Sequence, residues 1–327
     1  MNSESTKKNS GSVRKFPGAG LLIIFLLVFL FPILQLGKTL YPADTLYFFS
    51  PWSEQRPESW THPRNPLIGY DQVLQFLPLQ EVVTRAYNQG KLPLWNSHNL
   101  FGTPLMANTQ PAAFFPLTWL SLIMPLWAAF NVKVMIKLFI AGFFAYRWMK
   151  LFSREEWPAV FAGVGAMFCS YNIVWLNHTQ SNVSILLPAA YYYSEKLARR
   201  PGWPPVLKLL IVICLQLLGG HVKSAFLAAI GTGLYFLVRI FMIRRDRPDA
   251  KPLSSCLLFA TAYGLGTLLA AAQLIPFLQF IGRSHTLETL STLPSDTLAT
   301  SYLFLFLNPN LLGHPVAGIN WGSLNYN

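Results

Sequence analysis

Residues 18–36 are apolar at every position but Gln35, and this run limits what the chain can become. Nineteen residues at ~1.5 Å each make a helix of about 28 Å, close to the ~30 Å hydrocarbon core of a bilayer. A cleaved signal peptide would end on small residues. The run instead leads into Leu36-Gly37-Lys38-Thr39, with no A-x-A pattern, so it reads as an uncleaved anchor. Further apolar runs at 131–149, 157–175, 183–196, 205–220, 222–242 and 254–277 lead us to expect an all-α polytopic membrane protein. Charged residues make up 12% of the chain, half the ~25% of a soluble domain. A soluble globular protein is thereby excluded. Disorder is excluded by the 15% aromatic content.

Basic residues outnumber acidic ones 25 to 13, a net charge of +12. The surplus sits in short clusters between apolar runs, which fits orientation in a bilayer and not nucleic-acid binding. Lys7, Lys8, Arg14 and Lys15 precede the first run, so the basic tail 1–17 is expected in the cytoplasm, with 18–327 as a single transmembrane domain. Segment 112–128 is apolar but broken by Pro116 and Pro125. If it does not cross, Lys150, Arg154, Lys196, Arg199, Arg200, Arg244, Arg245, Arg247 and Lys251 all fall on the cytoplasmic side. If it crosses, all of them are translocated, against the positive-inside rule. The segment is therefore expected to be re-entrant or interfacial. The short runs 183–196 and 205–220 are expected to tilt or to thin the bilayer locally. Cys169, Cys214 and Cys256 lie in or beside apolar runs and read as small packing residues.

This parity leaves 37–116 as a large outer segment in a multi-pass protein of the inner, cytoplasmic membrane. All six histidines also fall outside: His62, His98, His178, His221, His285 and His314. Any chemistry is therefore expected on the outer face. Residues 71–89 place Val73, Phe76, Leu79, Val83 and Ala86 at helical spacing with Gln72, Gln75, Gln80 and Arg85 between them. That is an amphipathic, interfacial helix, kinked at Pro78 and ended by Asn88-Gln89-Gly90. Beyond it, Gly102 and Pro104 set turns, while Asn96, Asn99, Asn108 and Gln110 supply hydrogen-bonding groups. The plain alternative is a structural plug that shields the helices.

The runs GYDQVLQFLPLQ and GKLPLWNSHNLFGTPLMANTQPAAFFP, with LLGGHVKSAF, AAAQLIPFLQF and the closing NPNLLGHP…WGSLNYN, resemble the YfhO family of bacterial membrane proteins. The resemblance spans roughly residues 40–327 and implies a chain that continues past Asn327. It also implies a GT-C-like helix bundle with a large first outer loop. The activity implied is that of a glycosyltransferase. Its donor would be a polyprenyl-phosphate-linked sugar and its acceptor an envelope glycan or glycolipid.

Such a transfer needs a base, positive charge for the leaving phosphate and an apolar wall for the prenyl tail. Asp71 matches the family motif best and is the first candidate base, with Asp44 the second. The plain readings are a helix N-cap for Asp71 and a turn residue after Pro42 for Asp44. Lys133 and Lys137, one helical turn apart, and Arg64 are candidates to bind phosphate. The two lysines could instead snorkel to headgroups. Gln75, Trp95, Asn96, Asn108, Gln110, His178 and His221 are candidates to bind substrate. A divalent metal is an open question, since Asp44, Asp71 and a histidine do not form a recognised ligand motif. No Rossmann glycine pattern or P-loop is present, which points away from a nucleotide-sugar donor. The competing functions are a lipid-linked glycan transporter or flippase, and a non-catalytic envelope-assembly scaffold.

Overall fold

A computed structural model describes residues 17–34, 39–61, 70–99, 101–246 and 252–284, with short pieces between 303 and 320. Among these residues there are eleven α-helices and only two-residue strands. The first helix, α1 (Pro17–Leu34), is followed by a lobe, residues 39–125, of short turns. The lobe contains 3-10 turns at Ala43–Phe48 and Trp52–Gln55, helix α2 (Leu77–Asn88), and a small hairpin of β1 (Trp95–Asn96) and β2 (Thr103–Pro104). A third 3-10 turn, Pro116–Leu122, leads to the helix bundle. The bundle holds α3 (Leu126–Met149), α4 (Glu156–Met167), α5 (Ser170–Val174), α6 (Thr179–Ser184) and α7 (Leu187–Arg199). It continues with α8 (Trp203–Leu218), α9 (Val222–Asp246), α10 (Pro252–Leu269) and α11 (Ala271–Gly282). Strands β3 (Gly313–His314) and β4 (Ile319–Asn320) pair antiparallel beyond it.

Among the described residues, four segments are long and apolar enough to cross a membrane: Leu126–Met149, Glu156–Val174, Val222–Asp246 and Pro252–Leu269. The chain is thus an all-α, multi-pass membrane protein. At 24 residues, α3 is about 36 Å long. Gly18–Pro32, Trp203–Leu218 and Ala271–Gly282 are shorter apolar helices. Two of the long apolar runs are interrupted. The helix of 156–174 breaks where Cys169 turns extended, and the run 254–277 breaks at Ala270, between α10 and α11. Residues 112–128 hold only the seven-residue turn Pro116–Leu122 and the start of α3 after Pro125. At ~2 Å per residue a 3-10 turn of that length covers about 14 Å, too little to cross a bilayer.

Helix α1 shows how the bundle is sorted. Leu22, Leu26 and Leu30, four residues apart, are buried against Val134, Leu138, Tyr146, Val160 and Met167 of α3 and α4. Ile23, Ile24, Val28 and Phe31 face outward, as side chains toward lipid do. Lipid tails are as apolar as leucine, so close packing and not the hydrophobic effect must hold such helices together. Gly142 and Gly163 supply it: a Cβ on either would meet the other's carbonyl oxygen at 3.2 or 3.0 Å. A second core joins α3, α7, α8, α9 and α10 around Ile185, Leu197, Leu209 and Phe236, with Phe236 of α9 stacked on Phe259 of α10 at 4.1 Å. Ala112 and Phe115 of the lobe insert into that core. At the other end of the bundle, fully buried Glu195 accepts hydrogen bonds from Arg199 at 2.6 Å and from Arg239 and Tyr235 at 2.7–2.8 Å. This joins α7 to α9.

The amphipathic helix is present, and Val73, Phe76 and Val83 of its expected apolar face are buried, but polar residues are buried beside them. Gln72, Phe76, Gln80, Val83 and Thr84 are buried, and Thr84 shares a 2.8 Å hydrogen bond with Ser121. The apolar side packs Val83 against Leu105 and Ala113 of the lobe itself. Immediately before Pro78 the backbone widens into a π-turn, Gln72–Phe76, in which the Leu77 N–H donates to Gln72 O. Pro78 lacks the N–H that a regular helix would use there, and the wider turn absorbs that loss. Gly90, at φ +67°, ends the helix.

Candidate functional site

The first candidate region lies on the lobe. Asp44 sits half-exposed in the first turn of Ala43–Phe48, where Thr45 N–H donates to Pro42 O at 3.0 Å. Asp71 is exposed and already helical, at φ −59° and ψ −37°, and its side chain makes no capping hydrogen bond. The cap reading of Asp71 therefore finds no contact to rest on. The segments carrying the two acids, 27 residues apart in sequence, are packed together. Tyr70 meets Phe48 and Phe49 edge-on at 5.8 and 5.6 Å. The Tyr41 hydroxyl, its pKa raised by burial, donates to Gln72 O at 2.9 Å. Trp60 closes the group against Phe48 at 5.2 Å and lies under Arg56. The result is two accessible carboxylates beside a cluster of half-buried rings.

The second region is a small polar cavity of ≈ 20 Å³ where the lobe meets the bundle. The lobe supplies Phe76, Gln80, Gln110, Pro111, Ala112 and Thr118, and the bundle supplies Phe130, Lys133, Lys137, Asn177, His178, Thr179 and Asn182. Lys133 and Lys137 share a face, as their spacing requires, but both are buried, so neither snorkels outward. Lys137 donates to Ser181 Oγ at 2.7 Å, Leu176 O at 3.1 Å and His178 O at 3.3 Å. Lys133 donates to Gln80 Oε1 at 2.9 Å and lies over the Phe130 ring. The His178 ring is held edge-on between Phe76 and Trp175 at 5.2 and 5.0 Å. Burial, and then the charge of Lys137, push its pKa down to about 4, so the ring is neutral near pH 7.

Of the residues singled out from sequence, the cavity brings together Gln110, Lys133, Lys137 and His178. Gln75 joins them indirectly by donating to Gln110 Oε1. Asp44, Asp71, Trp95, Asn96, Asn108 and His221 do not line it. Asn96 Oδ1 accepts from His98 N–H at 3.0 Å and Asn108 Oδ1 from Gln110 N–H at 3.3 Å, both local turn contacts. Trp95 is exposed on the hairpin and lies across Gly102, whose φ of +117° and lack of a Cβ admit the ring. His221 Nδ1 accepts from Ser224 N–H at 3.1 Å and so caps the start of α9. Burial and then Lys223 lower its pKa. Arg64 lies outside the described residues. Among the described residues, no three His, Cys, Asp or Glu side chains come together.

Gln80 and Asn182 are polar cavity residues that sequence reasoning misses. The spacing of Gln72, Phe76, Gln80 and Thr84, four apart, marks the buried face once Lys133 is known to lie opposite it. Comparison of the chain with protein-family models, with curated proteins and with solved structures gives no match. The resemblance to the YfhO family therefore rests on the quoted runs alone.

Proposed function

We infer that the protein is an integral-membrane glycosyltransferase of GT-C-like architecture. In this reading it moves a sugar from a polyprenyl-phosphate donor to a cell-envelope acceptor on the outer face of the cytoplasmic membrane. The observation that carries the reading is the packing of the two acid-bearing turns, with Asp44 and Asp71 beside the rings of Phe48, Phe49, Trp60 and Tyr70. Asp71 takes the acceptor's proton and Asp44 assists. The aromatic cluster offers apolar faces to a sugar ring. Lys133 and Lys137 add positive potential behind the site, which favours an anionic lipid headgroup. The YfhO-like motifs and the cationic clusters that put the lobe outside support the same reading.

One observation favours transport of a lipid-linked glycan instead: charged groups are buried within the bundle, at Lys133, Lys137 and Glu195. Sugar transfer in membranes supplied with polyprenyl-phosphate sugars separates the two. Transfer that requires Asp71 supports the enzyme. Translocation of a labelled glycolipid without transfer would replace it. The orientation is checked by impermeant thiol labelling of Ser53→Cys and Ser97→Cys in intact cells, where both should react. Protection of both would place the lobe on the other side.

A further inference from the structure

The cavity at the junction of lobe and bundle has a charge that no described protein group balances. Two lysine side chains reach its wall, 8% and 1% exposed, and none of its lining residues is a carboxylate. Lys137 uses its three N–H groups on Leu176 O, His178 O and Ser181 Oγ. Lys133 has one hydrogen-bond acceptor among the described residues, Gln80 Oε1, with the Phe130 ring beside it. That bond fixes the Gln80 amide so that Nε2 is its free end. Gln80 Nε2, both ring nitrogens of His178 and Thr179 Oγ1 are buried without a hydrogen-bond partner among the described residues, as are the acceptors Asn177 Oδ1 and Asn182 Oδ1. In either tautomer His178 offers one ring N–H.

Unpaired donors outnumber the two unpaired acceptors in the lining of this one cavity, and an under-coordinated ammonium lies among them. Unpaired buried donors are costly and normally mark a missing partner. The two ammonium groups, one turn apart, also repel each other in a setting where water screens little. The volume of ≈ 20 Å³ admits about one water-sized species. A phosphate, with five heavy atoms, does not fit. A single water would accept at most two of these hydrogen bonds and leave the charge standing.

We propose that this cavity holds one monatomic anion of chloride's size, bound by Lys133 with Gln80, His178 and Thr179. It neutralises part of the lysine pair and ties the lobe to the bundle, because Gln80 belongs to one and the other three to the other. The assignment stands independently of the transfer reading, since it rests on the cavity and not on the acids.

The test uses the full-length protein purified in detergent. Its melting temperature is followed while sodium chloride, bromide, gluconate or inorganic phosphate is varied at constant ionic strength. Chloride and bromide should raise it in a saturable way, while gluconate, too large to enter, leaves it unchanged. Thr179→Val, which keeps the methyl group and removes one donor, should move the halide midpoint upward roughly tenfold. Lys133→Gln should abolish the halide response, and if that variant does not fold, Gln80→Leu replaces it. A melting temperature indifferent to halide, an equal rise in gluconate, or variants with the unaltered response would overturn the site and leave water as its occupant. Stabilisation by inorganic phosphate in place of chloride would overturn the monatomic assignment and return the lysines to a phosphate role.

Discussion

The lobe and the bundle keep their charges in opposite settings. The two candidate acids of the lobe, Asp44 and Asp71, sit on short turns where solvent reaches them, and neither makes an ion pair among the described residues. The bundle, by contrast, encloses some of its charges: Glu195 between Arg199 and Arg239, and Lys137 on three oxygens. A solvated carboxylate contributes little to folding and is free for chemistry. A buried charge is expensive to strand, so its partners fix the structure. Mutations in the two regions should consequently be read out by different instruments.

Asp71→Asn should give the largest effect, and only on activity. General-base help is worth ~10²–10⁴-fold, or about 3–5 kcal/mol, and transfer should fall by that factor with an unchanged melting curve. A lowered melting temperature would show that Asp71 belongs with the structural charges. Normal transfer with loss in Asp44→Asn would move the base to Asp44. Glu195→Gln should act in the reverse sense, lowering stability by about 3 kcal/mol by leaving Arg239 and Arg199 without their carboxylate. Thermal melts in detergent measure it, and a neutral result would remove the contrast between lobe and bundle. Lys137→Met should cost about 2 kcal/mol in the same measurement, since Leu176 O, His178 O and Ser181 Oγ lose their donor. The smallest effect is expected from His221→Ala, about 1 kcal/mol for a lost helix cap, with transfer intact. A large loss of transfer in that variant would bring His221 back to the site.

Legibility in the sequence divides along the same line. The long helices α3 and α9 can be read from their apolar runs because a membrane-length helix is a local property, whereas the expected span 183–196 is broken between Ser184 and Leu187, and α7 carries Glu195, Lys196 and Arg199. The turns at Gly90 and Gly102 are local too, and both glycines adopt the positive φ that marks them. The cavity is not local. Lys137 meets His178 across 41 residues and Lys133 meets Gln80 across 53. Gln80 in particular is hidden by its type, since a glutamine between apolar residues of a helix reads as its wet face. Only the opposing ammonium turns that face inward. The breaks at Cys169 and Ala270 are hard to read, because only isolated polar residues, Ser170 and Asn172 after one and Gln273 after the other, interrupt the apolar runs there. The carboxylate region is intermediate: Asp44 and Asp71 can be chosen by residue type, but the packing of their turns depends on Tyr70 reaching Phe48 and Phe49.

The docking of the lobe also sets an order of assembly. Ala112 and Phe115 belong to a core that also draws on α3, α7, α8, α9 and α10. Thr109 donates to Gly220 O, 111 residues later, and Asn177 to Leu40 O, 137 residues earlier. A chain made from its N-terminus releases the lobe long before those helices exist. The lobe therefore waits, with Ala112 and Phe115 incompletely covered, until the ribosome has delivered α8, the bend at Gly219-Gly220, α9 and α10. For that interval the lobe is a client for whatever guards unfolded chains, and its maturation is timed by the last helices to arrive.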